Sequence, residues 1–226
     1  NLTTKFRRNL TFIEIDYQAK DFKKQILKKF SKIKKIDYIF NNAGYLSFKK
    51  ENNSFGLSKS FYLNSIVPIL LISLLNKKIQ LSKKKTIIMT TSALSKFGNF
   101  NFDKIKKSYG YRGYIDQKFT LNLLTFYIHK HIFKKFNYVI WNPGYVKSNF
   151  GKTDKNFINY LLFKTRTILG KKPIDAIKPL KKFLLENNKK NIITFFNATK
   201  NIQMSIDDHD LKRNFGQINL IMKYLN

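Results

Sequence analysis

IDYIFNNAG, residues 36–44, opens as a strand and breaks as a turn. Ile36, Tyr38, Ile39 and Phe40 form a short run rich in β-branched and aromatic side chains, with no helical period. Such a run predicts a buried strand. Asn41, Asn42, Ala43 and Gly44 follow at once, and asparagine and glycine predict a turn at the strand's carboxyl end.

The chain reads outward from there as alternating elements. LTFIEID (10–16) alternates well enough to predict a strand ending in Asp16. Residues 18–33 place Phe22, Ile26, Leu27, Phe30 and Ile33 on one helical face with lysines opposite. An apolar helix is expected over 57–76 and a strand over KTIIMTTS (85–92). A long helix follows over 113–134, then a strand over NYVIWNPG (137–144), closed by a turn. Pro173 suits the start of a helix reaching Glu186, NIITFFNA (191–198) reads as a last strand, and an amphipathic helix ends the chain. Strand and helix alternate throughout, without repeat or long linker. That is the signature of one α/β domain over 1–226, a parallel sheet covered on both faces. Ligands of such sheets sit beyond the carboxyl ends of the strands. Those ends are Asp16, NNAG, Ser92 and Asn142-Pro143-Gly144.

Composition narrows the function classes. Lys and Arg total 44 against 13 Asp and Glu, a formal charge of +31. Lysines outnumber arginines 39 to 5 and lie along the whole chain in twos and threes. Lysine makes solvated surface, whereas arginine is the usual phosphate fork. Nucleic acid is therefore a disfavoured partner, and membrane association stays open. No cysteine is present, which excludes disulfides and thiolate metal sites. His129, His131 and His209 suggest no metal site, the first two being two apart on a helix and facing different ways. No signal-peptide pattern follows Asn1, so an intracellular location is expected. The longest apolar run, 62–75, contains Asn64 and Pro68 and is short for a bilayer, so it reads as a buried helix with a kink.

Three Tyr-x-x-x-Lys pairs occur: Tyr45–Lys49, Tyr114–Lys118 and Tyr160–Lys164. In a chain this rich in both residues the spacing alone says little. Only Tyr114–Lys118 has a serine-ended strand before it and the strand closed by Pro143-Gly144 after it. A free tyrosine, with a pKa near 10, is a poor base at neutral pH. An ammonium one helical turn away favours the phenolate.

Asp16 after a strand, NNAG at 41–44, Asn64 in the next helix, Ser92, Tyr114 with Lys118, and PGYVKS from 143 come in an order that resembles the short-chain dehydrogenase/reductases over nearly the whole chain. NNAG is the sharpest of these, expected by chance in about one such chain in several hundred. The resemblance implies a Rossmann-like doubly wound sheet. It also implies NAD or NADP as cofactor and an alcohol–ketone or alcohol–aldehyde reaction on a small apolar substrate. Ser92 would orient the substrate oxygen, Tyr114 would move the proton, and Lys118 would serve both the phenolate and the nicotinamide ribose. Asn64 would hold a water linking the lysine to solvent. Asp16 would meet the adenine edge, and Asn42, Ala43 and Gly44 the adenosine side. Pro143, Gly144, Val146 and Ser148 would form the nicotinamide end. The resemblance leaves a homo-oligomer open. The stretch 90–130, with 22 residues from Ser92 to Tyr114, is similar to the retinol-dehydrogenase-like branch.

The family's first strand, glycine-rich turn and second strand are missing. The nine glycines allow no Gly-x-x-x-Gly-x-Gly. A chain shortened at its start by roughly 50–70 residues is the simplest expectation, and a homologue that lost the region is the other. NAD cannot be told from NADP, because the residue that separates them lies at the end of that second strand. Two other functions compete: a non-catalytic binding or scaffold protein, favoured by the missing turn, and a nucleic-acid module, favoured only by charge.

Overall fold

The structure, a computed structural model, describes residues 10–150, 164–165, 167–186, 193–197 and 208–224. Tyr160, the strand positions beyond 193–197 and the segment from 151 to 163 lie outside the described residues.

Four parallel strands make one sheet in the order β1 (Tyr38–Asn41), β2 (Thr86–Thr90), β3 (Asn137–Asn142), β4 (Ile193–Asn197). Their register runs from Tyr38 opposite Thr86, through Thr86 opposite Asn137, to Tyr138 opposite Ile193. The helices are α1 (Phe22–Lys29), α2 (Lys59–Gln80), α3 (Phe102–Ile105), α4 (Gly110–His131), α5 (Pro173–Glu186) and α6 (Asp208–Met222). This is the expected α/β architecture with a parallel sheet.

Ile87, Ile88 and Met89 of β2 are buried, as a central parallel strand requires. Alternation sends them to opposite faces. Ile87 and Met89 join Tyr138 and Ile140 under α1, α2, α4 and α6, the larger core. Ile88 joins Val139, Trp141 and Leu180 of α5 in a smaller one. β1 lies at the sheet's edge, with Phe40 49% exposed.

Helix α2 is capped by Ser58, whose hydroxyl accepts from the Phe61 N–H. Its second turn, Tyr62–Ile66, is a π-helix, and Val67 and Pro68 follow. Pro68 has no N–H to offer the carbonyl of Asn64 four residues back, so an α turn cannot close there. At the proline the helix carries this widened turn. α2 is long and apolar enough to cross a membrane, which its apolar run alone did not suggest. It is nonetheless packed in the core, with Ile66, Ile69, Leu70 and Ile72 buried.

One expectation fails. Residues 10–16 are not a strand. Their alternation works as packing, since Ile15 and Tyr17 lie against the core while Phe12 is 81% exposed. A strand, however, is defined by a ladder, and no described strand runs beside this segment. Periodicity selects a face but cannot supply the hydrogen-bonding neighbour. The helix expected over 18–33 is correspondingly short, Phe22–Lys29.

Candidate active site

The carboxyl ends of β1, β2 and β3 lead into NNAG, Ser92 and Pro143-Gly144, with Lys118 of α4 bound at the end of β2. Helix α4 begins at Gly110, whose φ of 68° favours glycine, and it carries Tyr114 and Lys118 one turn apart. Lys118 is 3% exposed. Its ammonium donates to the Thr90 carbonyl at 2.7 Å, at the end of β2, and sits 5.8 Å from the centre of the Tyr114 ring. Burial pulls its pKa down from 10.5 to about 8. Tyr114 is half-buried, its ring 5.3 Å from that of Phe150.

Ser92 lies two residues beyond Thr90, half-buried, and caps the 3-10 turn Ala93–Phe97 by accepting from the Leu94 N–H. That turn is bound along α4. The Asn99 N–H donates to Asp116, Asn122 donates to Ser95 Oγ, and Arg112 donates to the Phe97 carbonyl. A Cβ on Gly98 would lie 2.3 Å from Phe119 Cβ and 2.9 Å from the Ile115 carbonyl oxygen. The absence of that atom lets the Ser92 segment approach the helix that carries Tyr114.

Asn64 is wholly buried. Its amide accepts from the Tyr45 N–H and donates to the Tyr45 carbonyl and to Gln117 Oε1. The amide thereby locks the segment after NNAG onto α2 and α4. Gln117 completes a buried network by donating to Ser60 and Ser108. This residue escaped the sequence reading. Its one signal is position: it precedes Lys118 on the inward face of α4.

Gly44 lies beside this network, its missing Cβ 3.6 Å from Asn64 Oδ1 and 3.5 Å from Phe150. Asn42 and Ala43 are exposed, and Asn42 Oδ1 accepts from Thr90 Oγ1, tying β1 to β2. Asp16 accepts from the Gln18 N–H and lines a cavity of about 320 Å³ with Tyr17, Tyr45, Lys59 and Tyr62.

Beyond β3, Gly144 takes φ 74° and donates to Asn142 Oδ1, a tight turn after Pro143. Val146 bridges Lys171 in parallel, with Lys171 N donating to the Tyr145 carbonyl and Lys147 N to the Lys171 carbonyl. In that pattern the N–H and C=O of Val146 itself point the other way. Ser148 is exposed and accepts from the Phe150 N–H. Phe150, also missed from sequence, links this segment to Tyr114 and Gly44.

The buried ammonium makes a pH test. Between about 8 and 10.5 the unfolded chain holds a proton on Lys118 that the folded chain has released. Stability therefore rises with pH across that window. Moving the ammonium from 10.5 to about 8 corresponds to about 3 kcal/mol. Urea unfolding from pH 7 to 10.5 should show this rise in the native protein and lose it in Lys118→Met. Parallel curves for the two proteins would contradict the burial.

No protein-family model matches the sequence, and no curated protein is significantly similar to it. Solved structures match its fold. An NADPH-bound carbonyl reductase from chicken fatty liver superposes with a TM-score of 0.60 at 17% identity, over 89% of this chain and 79% of that one. A carbonyl reductase from Pseudomonas aeruginosa gives 0.61 at 16% identity, over 89% and 79%. A short-chain dehydrogenase/reductase from Burkholderia multivorans with bound NADP gives 0.58 at 16%, over 87% and 78%. What is shared at such identities is the backbone plan, and the chain therefore has the Rossmann-like α/β fold of the short-chain dehydrogenase/reductase structures.

Proposed function

We propose that this chain carries the catalytic groups of an NAD(P)-dependent oxidoreductase that interconverts an apolar alcohol and its ketone or aldehyde. The observation that carries the reading is the Lys118 ammonium, buried between the last carbonyl of β2 and the face of Tyr114. An amine is buried there only at a cost, which marks a candidate functional site.

The residues around it fit a nicotinamide dinucleotide. The outward N–H and C=O of Val146 suit a carboxamide, with Ser148 beside them. Lys118 would hold the nicotinamide ribose. Gly44, which lacks a Cβ, would line the adenosine side with Asn42 and Ala43, and Asp16 would meet the adenine edge. The bound nicotinamide supplies or takes the hydride. Tyr114 gives its hydroxyl proton to the nascent alkoxide in reduction and takes it back in oxidation, while Ser92 holds the same oxygen by a hydrogen bond. The Asn64 amide is occupied and Pro68 offers its main-chain carbonyl no N–H four residues on, so that carbonyl is the group of Asn64 that would hold a water behind Lys118. The 22-residue span from Ser92 to Tyr114, filled here by a 3-10 turn and α3, supports the retinol-dehydrogenase-like branch and an apolar substrate.

One observation favours a second reading, a non-catalytic binding protein. No glycine-rich turn of the pyrophosphate type lies within these residues. The test fuses such a strand–turn–helix ahead of residue 1 and follows reduced-nicotinamide absorbance with a panel of apolar ketones and aldehydes. Turnover with the fusion and almost none with the unfused chain is expected. A fusion that folds and binds the dinucleotide yet reduces nothing would establish the binding protein instead.

A further inference from the structure

In sequence the lysines look evenly scattered; the fold gathers them. Every helix-to-strand connection of a parallel sheet arrives at the same end, opposite the ligand end. Here each described connection into β1, β2 and β3 brings a lysine pair: Lys34 and Lys35, Lys83 and Lys84, Lys134 and Lys135. All six are exposed. The connections are stitched side by side. Ile36 N donates to the Lys78 carbonyl, Thr86 N to the Asp37 carbonyl, and Asn137 N to the Lys85 carbonyl. The pairs therefore follow the strand spacing of about 4.8 Å. Asp37, the acid among them, is engaged by the Ser82 hydroxyl. The ion pairs of the described residues, such as Lys59–Glu51, Lys106–Asp103 and Lys178–Asp175, use none of the six.

Apolar side chains stand among these charges. Leu81, just ahead of Lys83, is 71% exposed, and Ile132, just ahead of Lys134, is 44% exposed. No arginine occurs in the three connections. A nucleic-acid surface would favour arginine forks and stacked aromatics. Ammonium groups interleaved with bare aliphatic side chains suit a layer that is anionic outside and apolar beneath.

We infer that the strand-entry end of the sheet docks on an anionic lipid bilayer. The lysine pairs lie against the headgroups, and Leu81 and Ile132 enter the headgroup–acyl boundary. The candidate active site then faces away from the membrane, toward solvent.

The test is cosedimentation of the full chain with vesicles of phosphatidylcholine alone, or of phosphatidylcholine with about one-third phosphatidylserine. Binding to the anionic vesicles only, weakening as salt rises, is expected. Changing all six lysines to glutamine should lower partitioning about tenfold or more, while changing all six to arginine should preserve it. Leu81→Asn should weaken vesicle binding at unchanged charge and leave retention by duplex RNA unchanged. The matched control changes Lys49, Lys50, Lys96, Lys104, Lys107 and Lys172, exposed lysines outside the three connections, to glutamine. Equal losses from both six-lysine sets would mean that net charge alone drives adsorption, and would overturn the inference. It would fall equally if the chain ignored anionic vesicles, or if the six lysines governed RNA retention but not vesicle binding.

Discussion

Replacing Tyr114 with phenylalanine should lower turnover of the fused, cofactor-competent protein by about 10²- to 10⁴-fold while leaving cofactor affinity nearly intact. The substitution keeps the ring, its 5.3 Å contact with Phe150 and its place over Lys118. It removes only the hydroxyl that moves the proton. Lys118→Met should damage both turnover and cofactor affinity, because the ammonium faces the ring and the ribose together. Tyr45→Phe and Tyr160→Phe are the controls. Each keeps a lysine four residues on, and Tyr45 meets Asn64 through its main chain. Near-normal rates in both, with collapse in Tyr114→Phe, would show that position in the fold makes the site. A Tyr114→Phe protein that retains more than about a tenth of the rate would end the assignment.

Gly98→Ala should destabilise the chain by about 1–3 kcal/mol and displace the Ser92 segment from α4. The new Cβ meets another Cβ at 2.3 Å and a main-chain oxygen at 2.9 Å, neither of which is the loose end of a flexible side chain. Relief requires the 3-10 turn and the helix to separate by roughly 1 Å, which loosens the ties of Asn99 to Asp116 and of Asn122 to Ser95. Serine and tyrosine would part together, so turnover of the fused protein should fall as well. Gly216, inside α6 with nothing within 4 Å of its missing Cβ, is the opposite case. Gly216→Ala should stabilise by about 0.5–1 kcal/mol, since alanine is the better helix former and meets no obstacle. Urea unfolding measures both. A Gly98→Ala chain as stable as the native one would mean that the close approach does not exist.

These substitutions mark how much was legible beforehand. The Tyr114–Lys118 pair could be read because residues four apart share a helix face whatever else the chain does. The strands of IDYIF and KTIIMTTS could be read because apolar runs bounded by turn residues carry their own period, and both appear, as Tyr38–Asn41 and Thr86–Thr90. The turns at NNAG and at Asn142-Pro143-Gly144 could be read because Asn and Gly tolerate, and Pro imposes, the backbone angles that turns require.

Residues 10–16 show the limit. Their alternation is real and still does not make a strand, because the hydrogen-bonding partner is not a property of the segment. Gln117, Phe150 and Gly98 escaped for a related reason. The value of each lies in an atom brought from far along the chain: Gln117 meets Ser60, Phe150 meets Gly44, and the missing Cβ of Gly98 faces Phe119. Asn64 was found, but the use of its amide was not, since Tyr45 and Gln117 reach it only in the fold.

By itself, then, the sequence determined the alternation of strand and helix, the polar ends of the strands and the spacing of the Tyr114–Lys118 pair, all products of short-range backbone geometry. Tertiary structure alone decided that the Lys118 ammonium would be buried against Thr90, that the Asn64 amide would bind Tyr45 and Gln117, and that scattered lysine pairs would share one end of the sheet. The reason is that burial, pairing and charge density depend on which distant segments a parallel sheet sets side by side, and no local period records that.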